Sequence, residues 1–202
     1  MRRGEQPGNL RRRLAEEAAR LMLEQGIDSF SRARNKAAER LGVSDQHQLP
    51  DNREIEQAQL EYLHIFYPET QPKRLRHLRQ TALRAMQLLA RFEPRLVGPV
   101  LKGSAGEHSP VNLHLFAAQP EEISWFLMEQ RIPHDTSERR YPGKPARSYP
   151  LFTFVAGDVQ MELTVFPLDG IRQAPNSPVD GRPIKRADIK AVQRLLEESA
   201  SE

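Results

Sequence analysis

Apolar side chains in residues 1–92 recur at the spacing of amphipathic helices. The first predicted helix has Asn9 as its N-cap and Gly26 as its end. Its apolar face is formed by Leu10, Leu14, Ala18, Leu21 and Met22. A second, shorter helix follows Phe30 and is predicted to end at Gly42, in the left-handed conformation that favours glycine.

Two further helices complete this front half. The third is predicted to start at Asp51, because Glu54 three residues later completes a capping box, and to stop before Pro68. The fourth, from Pro72 to Phe92, is the most regular, with an apolar side formed by Leu75, Leu78, Ala82, Met86 and Leu89. Half of this helix is therefore expected to be buried.

Basic side chains in these helices allow two interpretations. The side of the fourth helix opposite its apolar face carries Lys73, Arg76, Arg84 and Arg91, which either keep the helix hydrated or follow a phosphate backbone. The second helix offers polar groups to DNA in a helix-turn-helix arrangement, at Arg32, Arg34, Asn35 and Lys36. An alanine-rich helix that only packs has the same pattern, and packing is the favoured interpretation.

The pattern changes at Glu93-Pro94 to runs of strand length. Residues 95–104 and 112–116 predict two strands on either side of a turn at Gly103-Ser104, and residues 120–130 predict a helix after them. A strand, a turn, a strand and a helix are therefore expected in this order.

A β-hairpin is predicted over residues 150–166, with Gly157-Asp158 as its two-residue turn. Its second strand alternates between an apolar face and a polar face that carries Glu162. The fold class is therefore predicted to be α+β. A basic helical region over 1–92 precedes a small mixed or antiparallel sheet with flanking helices over 93–202.

Residues 167–185, which we call the strap, contain four prolines and two glycines and no apolar period. Ordering such a long segment without apolar packing costs conformational entropy. Segments of this kind are therefore usually functional or return the chain across the surface. Its anion-binding candidates are Arg172, Gln173, Asn176 and Arg182. A last helix is predicted after the strap, from the spacing of Ile189, Val192, Leu195 and Leu196.

Composition narrows the function classes. The chain has no cysteine, which excludes a disulfide framework and thiolate chemistry. It has no apolar run near roughly 18 residues, and the arginines at its start are followed by no apolar signal core, so a soluble cytoplasmic protein is expected. The net charge of +3 is uneven: residues 1–92 hold 17 Lys and Arg against 12 Asp and Glu. Contact with a nucleic acid and a merely hydrated surface both fit this excess.

The segment VLKGSAGEHSPVNLHLF resembles the start of the active site in the nucleotidyltransferase superfamily, the DNA polymerase beta-like fold. In that fold a Gly-Ser turn precedes a strand with two alternating aspartates, and a third carboxylate usually lies on a later neighbouring strand. Gly103-Ser104 match the turn, and Asn112 and His114 stand where the aspartates are expected. Glu162 is the candidate for the third carboxylate. The whole chain is also similar to uncharacterised proteobacterial proteins with a degenerate domain of this type.

The resemblance implies a site whose metal ligands have been replaced. Nucleotidyl transfer needs hard oxygen ligands for Mg²⁺, and an amide and an imidazole are poor substitutes for two aspartates. Glu162 is left as a weak metal candidate, with Mg²⁺ arriving together with a nucleotide. His114 would suit zinc or another transition metal if His108 or Glu107 came close, although a structural role is favoured for a lone strand histidine.

Three functional hypotheses follow. The leading one is a catalytically degenerate nucleotidyltransferase-like protein that binds a nucleotide or nucleic-acid phosphate at the backbone of Gly103, Ser104 and Ala105, beside Lys102. The second is an active enzyme that uses Glu162 with an unconventional ligand such as Glu107 or Asp158. The third is a DNA-binding or protein-interaction module that acts through the basic front helices.

Overall fold

A computed structural model describes residues 7–143 and 145–199, so the first six residues of the predicted basic region lie outside the described residues. The chain divides into two compact units. The helical unit extends to Gln71 and includes Ser104–Ser109, and the sheet unit contains Pro72–Gly103 and the chain from Pro110 onward. Most of the fourth helix thus belongs to the sheet unit, although it was predicted as part of the front helical region.

The helical unit contains three α-helices: α1 over Pro7–Gln25, α2 over Phe30–Leu41 and α3 over Asn52–Phe66. Its core contains Leu14, Ala18, Leu21, Ala33, Ala37 and Ile55. Helix α1 begins two residues before the predicted cap, because a proline is tolerated in the first turn of a helix.

The helix ends predicted at Asp51 and Gly42 are confirmed, whereas the cap predicted at Asn9 is wrong because α1 already begins at Pro7. Asp51 caps α3 in a complete capping box with Glu54. Gly42 ends α2 at φ +67°, and the N–H of Val43 after it donates to Ala38 O at 2.9 Å. This hydrogen bond satisfies one of the carbonyls that a helix end leaves open.

The sheet unit is built on five strands in the order β1-β2-β5-β4-β3. The strands are β1 Arg95–Val97, β2 Val111–Phe116, β3 Asp135–Tyr141, β4 Arg147–Ala156 and β5 Val159–Phe166. Only β2 and β5 run parallel, and the other neighbours are antiparallel. The mixed sheet, the hairpin at Gly157-Asp158 and the α+β class are as predicted.

Four helices belong with the sheet in sequence: α4 over Thr70–Leu88, α5 over Gly98–Lys102, α6 over Glu121–Glu129 and α7 over Ile189–Glu198. The strand predicted over 95–104 is wrong beyond Val97. Pro99 there occupies the first turn of the short helix α5, a position that needs no backbone N–H. Strand β3 was not predicted, because its sequence DTSERRY is polar and its side chains are mostly exposed.

The central strands β2 and β5 have two different faces. One face is apolar and buried, with Leu113, Leu115, Met161, Leu163 and Val165. The other, which we call the polar face, carries Asn112, His114, Glu162 and Thr164. The strap follows β5, and its Ile171 and Ile184 pack against the aromatic cluster of Phe116, Tyr141 and Phe166.

Candidate functional site

The parallel pairing of β2 and β5 brings the predicted site residues into adjacent rows. Asn112 lies directly opposite Glu162, and His114 lies opposite Thr164. Because side chains alternate along a strand, Asn112 and His114 point to the same face. The relation between Asn112 and Glu162 is the one that the resemblance implies for a first and a third carboxylate.

Arg139 on β3 joins these two residues. Its Nη1 donates to Asn112 Oδ1 at 2.7 Å, and its Nη2 donates to Glu162 Oε2. The amide nitrogen of Asn112 donates to Pro110 O at 3.2 Å, which leaves the amide oxygen facing the guanidinium. The ion pair is largely sheltered, since the side chain of Glu162 is 15% exposed and that of Arg139 is 30% exposed. A cation of the protein itself thus lies between the two oxygens.

His114 is buried, with both ring nitrogens hydrogen-bonded. Arg186 Nε donates to its Nδ1 at 3.1 Å, so Nδ1 carries no proton, and Nε2 then donates to the Tyr141 hydroxyl at 3.0 Å. Burial lowers the pKa of His114 well below 6.5, and the charges of Arg186 and Arg139 lower it further. The imidazole is therefore neutral, and neither nitrogen has a lone pair open to a metal.

Arg186, one residue after the strap, supports this arrangement. Its Nη1 donates to Gly170 O at 2.7 Å and to Ile171 O at 3.3 Å. Its guanidinium carbon lies 4.9 Å from the ring centre of Phe116 and 5.1 Å from that of Phe166. Burial lowers the pKa of Arg186 and raises the pKa of Tyr141.

The predicted phosphate-binding turn has several of its groups engaged within the protein. Gly103 adopts φ +90° and its N–H donates to Pro99 O at 2.8 Å, as the C-cap of α5. Lys102 is exposed, whereas Ser104 and Ala105 are buried, at 3% and 0% exposure. The carbonyl of Ala105 accepts from Gln71 Nε2 at 2.7 Å. Phosphate binding at this turn stays a prediction.

The unconventional metal ligands are engaged elsewhere or belong to the other unit. Asp158 Oδ1 accepts from His77 Nε2 at 3.0 Å, and this hydrogen bond lowers the pKa of the exposed Asp158. Glu107 and His108 are exposed residues of the helical unit, whereas Glu162 and His114 belong to the sheet unit. Within residues 7–143 and 145–199, no group of three or more His, Asp or Glu side chains is arranged to hold a metal ion.

The candidate DNA-reading side chains of α2 have partners inside the protein. Arg32 lies 3.9 Å from the carboxylate of Asp28, and Lys36 donates to Gln25 at 3.0 Å. Arg34 is hydrogen-bonded to Asn52. The packing interpretation of this helix is therefore favoured.

Sequence reasoning missed three residues of the site: Arg139, Tyr141 and Arg186. The first two lie two residues apart on β3, so an alternating signal existed in SERRY, but the strand itself was not predicted. Arg186 lies in an irregular segment with no periodic signal.

No family model, curated protein or solved structure matches this chain. In the described part of the chain, no helix is both long and apolar enough to cross a membrane.

Proposed function

We propose that the protein is a nucleotidyltransferase-like protein that binds the phosphate of a nucleotide or nucleic acid without metal-dependent transfer. One observation carries the proposal: Arg139 is bonded to both Asn112 and Glu162. The pairing of β2 with β5 supports the nucleotidyltransferase-like part, because Glu162 stands on the strand beside Asn112.

The chemistry of the two oxygens argues against a catalytic metal. A divalent ion that bridges phosphates needs carboxylate ligands, and here one carboxylate and one amide oxygen bind a guanidinium. A metal ion would have to displace Arg139 and would then meet only one negative charge. The guanidinium of Arg139, which Glu162 neutralises, lies between the two oxygens and cannot activate a nucleophile, so the charge that attracts an anion is left to Arg186.

On the polar face, the guanidinium of Arg186 has no carboxylate partner among the described residues. Arg139 and Arg186 both act on His114, and the charge of Arg95 reaches Arg186. Glu162 neutralises only one of these three guanidiniums, and the exposed Glu93 pairs with Arg95 at 3.2 Å. A phosphate is the ligand that such a surface favours, because guanidinium groups match its oxygens in pairs. We therefore propose the polar face, in addition to the Gly103-Ser104 turn, as the place of binding.

Calorimetry of the full chain with ATP and GTP tests this function, with tRNA as the polymeric ligand. We expect micromolar binding that changes less than about threefold between Mg²⁺ and EDTA, together with no release of pyrophosphate. Glu162→Gln is the diagnostic variant, and Glu138→Gln on the exposed part of β3 is its control.

Two results would contradict the proposal. Failure to bind any nucleotide or tRNA would remove the phosphate-binding function. Mg²⁺-dependent pyrophosphate release that Glu162→Gln abolishes and Glu138→Gln retains would instead establish the active enzyme.

A second candidate, a protein-interaction module, is favoured by the end of α3. Ile65 and Phe66 there are 65% and 61% exposed. Neighbouring exposed apolar side chains are typical of interaction sites. A Phe66→Ser variant that loses capture of a cellular protein, while Glu162→Gln retains it, would support this function; equal capture by both would contradict it.

A further inference from the structure

Arg186 is a half-buried cation that has no carboxylate partner. Among the described residues, no carboxylate oxygen lies within 4.0 Å of its guanidinium, whose partners are two carbonyls and His114 Nδ1. Burying a charge without an opposite charge is unfavourable, and proteins usually compensate it with a counter-ion or a ligand. Carbonyls and aromatic rings offset only part of this cost.

The hydrogen-bonding capacity of the guanidinium is also incomplete. Arginine has five N–H groups, and those of Nε and Nη1 are used, whereas Nη2 is buried without a hydrogen-bond partner. The hydroxyl oxygen of Thr164, in a residue that is 1% exposed, is likewise buried, and it lies near the Tyr141 hydroxyl without a well-formed hydrogen bond to it. Thr164 lies opposite His114 in the sheet, and Arg186 bonds to the same His114, so both unsatisfied groups flank one imidazole. Unsatisfied buried donors that lie close together indicate a missing acceptor.

The strap lies over these groups, and its construction allows it to lift. The N–H of Ser177 donates to Arg182 O at 2.7 Å, and that of Ile184 donates to Pro175 O at 2.9 Å. Because these bonds are made within the strap, raising it from the sheet breaks neither of them. It does break the bonds from Arg186 Nη1 to Gly170 O and Ile171 O, which frees that nitrogen for a ligand. The apolar side chains by which the strap packs on the sheet are Ile171 and Ile184.

From these observations we infer that Arg186 binds a phosphate group in a site closed by the strap, with Nη2 and the Thr164 hydroxyl as donors. The inference rests on the proposed function and names the residue that recognises the phosphate. A phosphate fits better than a single-atom ion, because its several oxygens accept from Nη2 and from the Thr164 hydroxyl at once. Inorganic phosphate and the terminal phosphate of a nucleotide share this chemistry.

The test is calorimetry of the full chain with inorganic phosphate and with ATP, both in EDTA at constant ionic strength. The diagnostic variants are Arg186→Met and Arg186→Lys, and the matched control is Arg194→Met, an exposed arginine of α7. We expect Arg186→Met to weaken binding at least tenfold, Arg186→Lys several-fold because an ammonium lacks the planar donors of a guanidinium, and Arg194→Met less than twofold. Thr164→Val is expected to weaken binding about threefold.

A measurement without substitutions covers the case in which Arg186→Met does not fold. Titration of phosphate into the unaltered protein should shift the ¹⁵N signals of the His114 imidazole and the Arg186 side chain, while an equal concentration of chloride should not. Equal shifts with chloride would overturn the assignment to phosphate.

The outcomes separate this inference from the proposed function. If the unaltered protein binds ATP and both Arg186 variants bind it equally well, the inference is overturned and the proposed function stands. If phosphate binds through Arg186 but no nucleotide or tRNA binds, the site stands and the proposed function is overturned.

Discussion

Arginines of the helical unit and arginines of the sheet unit have different partners. In the helical unit, Arg11 bonds to Glu54 at 2.7 Å, and Arg20 and Arg40 each bond to Glu17 at 2.8 Å. In the sheet unit, Arg79 is 8% exposed and donates to the carbonyls of Val100 and Leu101. Arg186 has carbonyls and a neutral imidazole as partners. Carboxylates therefore neutralise the named cations of the helical unit, while backbone oxygens hold Arg79 and Arg186 in the sheet unit, in contrast to its ion pair between Arg139 and Glu162.

The difference changes where an anion is expected to bind. The charge count favours residues 1–92 as the region that binds an anion, because it holds 17 basic against 12 acidic side chains. Several of these cations are already neutralised on the helix surfaces, where ion pairs contribute little. Residues 93–202 hold 13 basic against 15 acidic side chains, yet they contain Arg186 and Arg139. The local environment of a charge, and not the regional sum, decides whether it attracts a ligand.

The largest effect is expected at Arg79. Replacing it with methionine leaves the carbonyls of Val100 and Leu101 at the end of α5 without their donor, and burial prevents water from replacing it fully. We expect Arg79→Met to lower the free energy of unfolding by about 3 kcal/mol, measured by urea denaturation. Arg84→Met, at an exposed position on the same helix, should change it by less than about 0.5 kcal/mol. Similar effects of the two changes would contradict a special contribution of the bonds from Arg79 to the end of α5.

Double-mutant cycles compare an ion pair from each unit directly. We expect Arg139→Met with Glu162→Gln to give a coupling free energy of about 2 kcal/mol, because the pair is sheltered from water. Arg11→Met with Glu54→Gln should give about 0.5 kcal/mol, since those side chains are 36% and 39% exposed. Glutamine at residue 54 keeps the capping box, so the second cycle measures the ion pair alone. Equal coupling free energies in the two cycles would show that shelter from water does not strengthen the pair of Arg139 and Glu162.

Acidification should destabilise the fold through His114. Its folded pKa lies well below 6.5, so below pH 6.5 the unfolded chain binds a proton that the folded protein does not. Stability is therefore full above about pH 6.5 and falls as the pH decreases, until His114 in the folded protein is itself protonated. The limiting slope is about 1.4 kcal/mol per pH unit. Comparing urea midpoints from pH 7.5 to 5.0, His114→Gln should lose this component and the exposed His47→Gln should retain it. A retained slope in His114→Gln would contradict the assignment.

Local sequence signals predicted much of this fold. The capping box at Asp51, the glycine end of α2 and the Gly157-Asp158 hairpin depend on neighbouring residues, so a reading of short windows finds them. The segment after Val97 was misjudged because Gly98 and Pro99 interrupt an apolar run that fits a strand and a short helix equally well. Strand β3 was not predicted because its place in the sheet comes from pairing with β4, which the sequence of β3 alone does not reveal.

The candidate site divides in the same way. Asn112, His114 and Glu162 were found because alternation along a strand and the resemblance both point to them. That Asn112 and Glu162 lie opposite each other depends on the parallel pairing of strands far apart in sequence. Arg139 and Arg186 reach the site from an unpredicted strand and from the end of the strap. Their role depends on tertiary contacts, which leave no periodic pattern in the sequence.

The smallest effect tests whether the two units differ only in their charged contacts. Both contain a helix capped by an aspartate: Asp51 accepts from Glu54 N at 2.9 Å, and Asp188 accepts from Ala191 N at 2.8 Å. Both caps are exposed, so the same side-chain hydrogen bond is made beside water in each unit, and the bond from the residue 51 backbone N–H to Glu54 is kept when Asp51 becomes alanine. We therefore expect Asp51→Ala and Asp188→Ala each to lower the free energy of unfolding by about 1 kcal/mol in urea denaturation. Asp51→Asn and Asp188→Asn, which keep the acceptor, should lower it by less. A cost at one cap several times that at the other would show that the units differ in more than the environment of their arginines.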